Sequence, residues 1–366
     1  MASFKKLKSG WQYRVSYKDG DTYRTKSKNG FSTKKEAQLA AAKVERLVNN
    51  NIKINDGVIF IEYLESWYDL YKKGKYSASY NYDAEIAIKN AREFFKNTKL
   101  KDIDRKLYQK FINWLAKGHT TGTIKKRHMF TNECLKFALE EKLISSDPTY
   151  KINLKGTVPA KKDSEKYINY SEAMKLIDAL KEDIKPHYDS RYMCLLSLAT
   201  GLRFSEVLGL KWKDVDFKEN ILVVNKSFDH MHTKKLKETK TASSNRKIKL
   251  DDHTINMLKE YKKQNKDRHP TFLFLDSNHN HASNSAVNKA LKKACQRAGI
   301  KKITFHSLRH THCSILLFQG INIHYISKRL GHSKVSITMD IYSHMLQEMD
   351  QRENKKATEV MGSLYE

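Results

Sequence analysis

The sequence predicts a multidomain, mainly α-helical chain: a small N-terminal three-stranded sheet plus helix, a helical bundle, and a mixed α+β C-terminal domain. Three observations carry this. A period of two near the N-terminus gives way to helical periodicity from Phe60 to about Lys142. A basic run holding Gly156 and Pro159, without apolar periodicity, then interrupts the chain. Beyond it, short strand-like runs alternate with helical ones, and 366 residues exceed one domain of ordinary size.

Trp11, Tyr13, Val15 and Tyr17 alternate with Gln12, Arg14 and Ser16, which marks a half-buried strand. Lys18-Asp19-Gly20-Asp21 is a turn signal. Thr22 to Lys28 is its hairpin partner, with Arg24, Lys26 and Lys28 on one face, and Asn29-Gly30 is expected to turn the chain again. Thr33-Lys34-Lys35-Glu36 fits a capping box opening a helix to about Val48. A β-ribbon with a cationic face can enter a DNA groove, although the same charges also suit a solvated surface.

Asn50 to Asp56 is a linker by composition. Four apolar stripes follow at helical spacing and imply a four-helix bundle: Tyr63, Leu64, Trp67, Tyr68 and Tyr71; Ile86, Ala87, Phe94 and Phe95; Leu107, Phe111, Trp114 and Leu115; Leu135, Phe137, Ala138 and Leu139. Between the last helices, Lys117 to His128 carries Thr121, Lys125, Lys126 and Arg127. That mixture suits contacts to backbone phosphates, and equally a solvated helix start. Pro148 and the run Lys151 to Lys166 form a second linker and a domain boundary. After it, Tyr170 opens a helix and Tyr192 to Leu198 an apolar one stopping near Gly201. Ser205 is the expected cap of a short helix ending near Leu210. Ile221 to Val224 and Arg246 to Leu250 are strands, and helices run from Asp251 to about Lys262 and from Ser285 to Arg297.

Lys plus Arg number 69 against 41 Asp plus Glu, a formal charge of +28, so polyanions are the expected partners. Nucleic acid leads. An anionic membrane surface competes, but no apolar stretch is long enough to span a bilayer, and the N-terminal lysines are followed by no signal-peptide core. Cys134, Cys194, Cys295 and Cys313 are scattered among apolar helical neighbours, as reduced core thiols in a cytoplasm would be.

The chemistry concentrates late in the chain. His306 and Arg309 lie one turn apart near an expected helix start, where unpaired N–H groups and the helix dipole favour an oxyanion. His332 follows the helix-ending Gly331, and Tyr342 comes after it. Arg203, with Glu206 three residues on, can present a planar fork to two phosphate oxygens, or form an ordinary surface pair. Lys240 sits in a lysine-rich hairpin, able to donate a proton to a leaving oxygen or merely to touch phosphates. His306, His310, His312 and Cys313 invite zinc, but Arg309 among those ligands would repel a cation. Ile337 and Ile341 would form the buried face beside Tyr342.

Thr200-Gly201-Leu202-Arg203-Phe204-Ser205-Glu206, His306-Ser307-Leu308-Arg309-His310-Thr311, Leu330-Gly331-His332 and Ile341-Tyr342 resemble, in order and spacing, the signature boxes of the tyrosine recombinase (phage integrase) family. Thr239-Lys240-Thr241 matches its β-hairpin lysine. The resemblance is to lambda-integrase-like, site-specific recombinases of temperate phages or integrative conjugative elements of Gram-positive bacteria. It implies an arm-type DNA-binding domain over 1–50, a core-type DNA-binding bundle over 57–150, and a catalytic domain with a C-terminal tail over 165–366. By the same resemblance Tyr342 attacks a phosphodiester to form a 3′-phosphotyrosine, and Arg203 and Arg309 clamp its oxygens. His306 is the general base, His332 bonds the phosphate, and Lys240 is the general acid. No cofactor or metal is required. The expected partners are double-stranded DNA at core and arm attachment sites, three further copies in a tetramer that passes through a Holliday junction, an excisionase and a host DNA-bending protein; the expected place is the nucleoid of a bacterial cytoplasm. A type IB topoisomerase-like relaxing enzyme and a non-catalytic DNA-binding regulator are the alternatives.

Overall fold

The N-terminal alternation becomes an antiparallel sheet of three strands, β1 (Ala2–Leu7), β2 (Gly10–Asp19) and β3 (Thr22–Phe31), with β2 central. The computed structural model describes residues 2–19, 22–49, 57–160, 165, 167–238, 244–265, 270–275, 279–339, 354 and 357–363. The chain divides into two units, Met1–Ala160 and Lys161–Glu366. The expected linker over Asn50 to Asp56 lies outside the described residues.

Tyr13 and Val15 are buried against Ala41 and Val44 of α1 (Lys34–Asn49). The capping box forms as the sequence predicts: Glu36 N–H donates to Thr33 Oγ1 at 3.2 Å, and Glu36 Oε2 accepts from Thr33 N–H at 3.4 Å. Asn29-Gly30 does not turn the chain. Both residues belong to β3, where the register shifts between Trp11 and Tyr13 so that β3 absorbs an extra residue as a bulge.

Arg24, Lys26 and Lys28 do share one face, and the register decides which side of the sheet that is. Residues paired directly across strands point to the same side of a sheet. Arg24 pairs with Tyr17, Lys26 with Val15 and Lys28 with Tyr13, so all three lie on the side that α1 covers. The open side instead carries Lys5, Gln12, Arg14, Ser16, Tyr23, Thr25 and Ser27, with Tyr23 81% exposed.

Four helices follow: α2 (Phe60–Tyr71), α3 (Ala78–Phe95), α4 (Arg105–Ala116) and α5 (Thr121–Glu140). Ser77, Asp104 and Thr120 cap the last three by accepting a backbone N–H. Phe60, Leu64, Trp67, Phe95, Phe111, Phe130 and Leu135 fill the core; Tyr71, expected in the first stripe, is 39% exposed. Part of the expected second linker is not a linker. Thr157 N–H and Oγ1 both donate to Ala116 O, and Val158 N–H donates to His119 O. Gly156 packs so tightly on residues 119–121 that an added Cβ would come within 2.4 Å of His119 O. Residues 151–158 therefore close over the start of α5, held by these hydrogen bonds and by Ile152 and Leu154, which pack against the bundle core.

The second unit is built around α7 (Asp189–Thr200), whose Tyr192 to Leu198 are buried all round, as a helix apolar on every face must be. Packed about it are α6 (Tyr170–Lys181), α8 (Phe204–Gly209), α9 (Asp252–Asn265), α10 (Asn284–Arg297), α11 (Phe305–Phe318) and α12 (Ile323–Leu330). Strands β4 (Val215–Asp216) and β5 (Ile221–Val224) join β8 (Arg246–Lys249) in the order β4-β5-β8, while β6 (Lys226–Phe228) pairs with β7 (Leu236–Glu238). The four cysteines are buried and free. Among the described residues no helix is long and apolar enough to cross a membrane.

Candidate active site

Two helix ends meet in the second unit. α7 terminates at Gly201 and α12 at Gly331, both in the left-handed region at φ 71° and 70°. Such ends leave carbonyls without intrahelical donors. Arginines supply the donors. Buried Arg309 gives Nη1 to Gly201 O at 2.7 Å and Nη2 to Leu330 O at 2.8 Å. Arg329 gives Nη2 to Ala199 O at 3.2 Å, and Arg246 gives Nε to Arg329 O at 2.7 Å. The dipoles ending here each contribute about half a negative charge, so they hold the cations close together.

Arg203 is the residue preceding α8, and Glu206 orients it from two sides. Glu206 Oε2 accepts from Arg203 N–H at 2.9 Å, and Oε1 accepts from Arg203 Nη1 at 2.9 Å. The expected cap, Ser205, lies inside the helix instead. Nor is Arg203–Glu206 a surface pair: the Glu206 side chain is 4% exposed and also bridges both Nη atoms of Arg246, at 3.1 and 2.8 Å. Burial by itself would raise the Glu206 pKa. The hydrogen bond and charge of Arg246, then the charge of Arg203, overcome that and hold it below the usual carboxylate value.

His306 stands one turn before Arg309, its ring edge-on to His310 with centroids 4.8 Å apart. It keeps access to solvent. Even so, desolvation, followed by the charges of Arg309 and Arg203, holds its pKa below that of an ordinary imidazole. His332 follows α12 and pairs Nδ1 with Thr338 Oγ1 at 2.8 Å. Its pKa is pushed down to about 3 by burial, then by Arg309, Arg203, Arg246 and His310. Both rings are therefore neutral near pH 7, beside guanidinium groups that stay charged.

The helix start itself is less open to an anion than the sequence suggests. Phe305 N–H already donates to Asn288 Oδ1 at 2.9 Å, and Ser307 N–H to Thr304 O at 2.9 Å. Anion recognition falls to side chains. His312 is buried with both ring nitrogens engaged, Nδ1 on Leu198 O at 2.9 Å and Nε2 accepting from Arg329 Nε at 3.1 Å, which leaves it no lone pair for a metal. Cys313 is core, packed with Leu317, Ile326 and Leu330. Residues 335–339 are helical; Thr338 is buried, whereas Ile337, expected on the buried face, is 36% exposed.

Arg203, His306, Arg309 and His332 thus converge. Lys240, Ile341 and Tyr342 lie outside the described residues. In the bundle, Lys125 and Lys126 are exposed on the first turns of α5, but Arg127 is tied by Nη1 to Asp83 O at 3.0 Å and Oδ1 at 3.2 Å. Thr121 Oγ1 accepts from Gly156 N–H at 3.0 Å. Sequence reasoning missed Arg246 and Arg329. Their only local signal was an arginine opening a strand and another at a helix end.

Guanidinium groups set close enough to two neutral imidazoles to depress their pKa, in a chain of charge +28, suit an enzyme acting on phosphodiesters of nucleic acid. Residues 166–349 match the phage integrase family, residues 3–46 an arm DNA-binding domain, and residues 59–153 a phage integrase SAM-like domain. The integrase of Staphylococcus phage L54a is 29% identical over 347 residues, covering 85% of this chain and 96% of that protein. In fold, the chain is similar to the Tn1549 transposon integrase bound to transposon right-end DNA (TM-score 0.66, 19% identity, 80% of this chain and 99% of that one). It is likewise similar to lambda integrase in a tetramer on a Holliday junction (TM-score 0.61, 16% identity, 90% of this chain and 91% of that one). The chain belongs to the phage integrase family. It is a tyrosine-type site-specific DNA recombinase, which breaks and rejoins DNA strands.

Proposed function

We propose that this recombinase integrates and excises a prophage or other mobile element by strand exchange through a 3′-phosphotyrosine at Tyr342. The observation that carries the reading is the convergence of Arg203, just before α8, and Arg309, on α11, with two neutral histidines. In this reading the two guanidinium groups neutralise the non-bridging oxygens of the scissile phosphate, and His332 donates a hydrogen bond to one of them. A phenol, with a pKa of about 10, attacks phosphorus only if its proton leaves. His306, held neutral, accepts that proton as general base. The Tyr342 O–P bond forms as the P–O5′ bond breaks, and Lys240 gives the leaving 5′-oxygen its proton. The phosphotyrosine conserves the bond for attack by an incoming 5′-hydroxyl, so rejoining needs no further energy source.

Residues 57–150 would grip the core site, with Lys125 and Lys126 against phosphates, and 165–366 would carry catalysis. Residues 1–50 would bind separate arm sites. The register favours the open sheet side, with Lys5 and Arg14, over Arg24, Lys26 and Lys28 as the groove-facing surface. The lambda integrase assembly supports a homotetramer working through a Holliday junction, here joined by an excisionase and a host DNA-bending protein to set direction. The test is a nicked suicide duplex carrying the core repeat that bounds the element encoding this chain. Wild type should form a covalent adduct that Tyr342→Phe abolishes; no adduct from wild type on that duplex would refute the reading.

A further inference from the structure

We propose that Arg246 is a positioning residue for strand cleavage, which sets Arg203 through Glu206 and braces the chain turn carrying His332. The inference rests on the reading of Arg203 and His332 as phosphate-binding groups. Arg246 belongs to none of the sequence boxes and opens β8, more than one helix away from either group in the chain.

Its donors are spent inside the protein. Nη1 goes to Glu206 Oε1 at 3.1 Å and to Ser244 O at 3.1 Å, Nη2 to Glu206 Oε2 at 2.8 Å, and Nε to Arg329 O at 2.7 Å. A guanidinium has five N–H groups in a rigid fork, and four are committed here, with the side chain 3% exposed. A group so saturated does not bind the phosphate. It does decide what Glu206 can offer Arg203. Because Arg246 holds both carboxylate oxygens, the Arg203 guanidinium takes only a shared Oε1 through Nη1, while the Arg203 backbone N–H shares Oε2. Arg203 Nη2 is left on Gly331 O at 3.4 Å, a long bond that a phosphate oxygen can replace. Without Arg246, the carboxylate could close a bidentate pair with Arg203 and draw its fork away from the substrate.

The same guanidinium supports the other side of the site. Gly331 passes so near it that an added Cβ would lie 2.9 Å from Nη1 and 3.3 Å from Cδ. The Nε bond to Arg329 O holds the preceding α12 turn, so the backbone leading into His332 rests directly on Arg246. One side chain thereby ties together two phosphate-binding groups that lie far apart in sequence.

The experiment measures single-turnover cleavage of the same nicked core-repeat duplex at saturating full-length protein, alongside duplex affinity, thermal unfolding and the pH profile of cleavage. Arg246→Met should cleave about 100-fold slower, the scale of a 1 Å misplacement of a catalytic group, with duplex affinity unchanged. Its acid limb should move to higher pH. Of the features that keep His332 neutral, burial, Arg309, Arg203 and His310 remain, while the Arg246 charge is gone. Arg246→Lys should recover part of the rate, since an ammonium neutralises Glu206 but cannot also span to Arg329 O. Should Arg246→Met fail to fold, Arg246→Lys decides: slower cleavage at wild-type folding and affinity supports the inference, and a wild-type rate overturns it. Loss of cleavage merely in step with lost DNA binding or lost folded protein would also overturn it. Failure of wild type to form the adduct would instead remove the underlying reading, and the inference with it.

Discussion

Gly201→Ala tests how tightly the two helix ends are locked. Gly201 has φ 71°, and an alanine Cβ there would lie 2.6 Å from Leu330 Cδ2 and 2.8 Å from His312 Cδ2. Neither neighbour can give way freely: Leu330 is buried, and His312 is pinned between Leu198 O and Arg329. The left-handed backbone costs a residue with a side chain about 1 kcal/mol. Overpacking adds about 1–3 kcal/mol, for a total of about 2–4 kcal/mol. Gly299→Ala is the matched control, at φ 62° with nothing within 4 Å of its Cβ, so about 1 kcal/mol is expected from backbone strain alone. Hydrogen exchange of α7 and α11 amides in the full chain reads the opening free energy of this unit. If Gly201→Ala and Gly299→Ala lower it equally, the helix ends are not packed as described and the steric reasoning fails.

Three further outcomes follow from the same geometry. His312 is held neutral, its pKa pushed down to about 3 first by burial and then by Arg329, against 6.5 unfolded. Between those values the unfolded chain binds the extra proton, so stability should fall as pH drops from 6.5 toward 3, by up to about 1.4 kcal/mol per unit. His312→Gln can keep both hydrogen bonds without titrating, and acid unfolding curves should show that dependence flattened; an unchanged slope would place the titration elsewhere. In the bundle, Lys125→Ala and Lys126→Ala should each lower the salt slope of DNA binding by about 0.9 per lost phosphate contact. Arg127→Met should leave that slope intact and cost about 1–2 kcal/mol of stability through the lost Asp83 bonds, read by urea titration; the reverse pattern would make Arg127 the DNA ligand. On the sheet, Lys5→Ala with Arg14→Ala should weaken arm-site footprints more than Arg24→Ala with Lys26→Ala, and the opposite order would reject the open side as the DNA surface.

Much of this protein is legible from its residues in order. Local chemistry determines local form: Thr33 and Glu36 cap α1, Gly201 and Gly331 end α7 and α12, and period-two and helical spacings separate sheet from bundle. The boxes around Arg203, His306, Arg309, His332 and Tyr342 point to phosphodiester chemistry for the same reason, since each is a short run with its own signature. Two local signals with more than one meaning took a different one in the fold. Asn29-Gly30 could turn or bulge, and pairing with β2 made it a bulge. A run without apolar periodicity over 151–158 could be a linker or a strap, and backbone bonds to Ala116 and His119, with Ile152 and Leu154 against the bundle core, made it a strap.

What only the tertiary structure decided is which groups share a partner. Glu206 is claimed by Arg246 from 40 residues away, Arg203 reaches Gly331 across 128, and Arg309 reaches Gly201 across 108. The side of the sheet on which Arg24, Lys26 and Lys28 fall was likewise set by strand register and not by their spacing. The physical reason is common to both. Periodicity and capping are free-energy differences within a few residues of one chain segment, whereas the orientation of a buried charge is set by whichever carbonyls and carboxylates the fold brings to it.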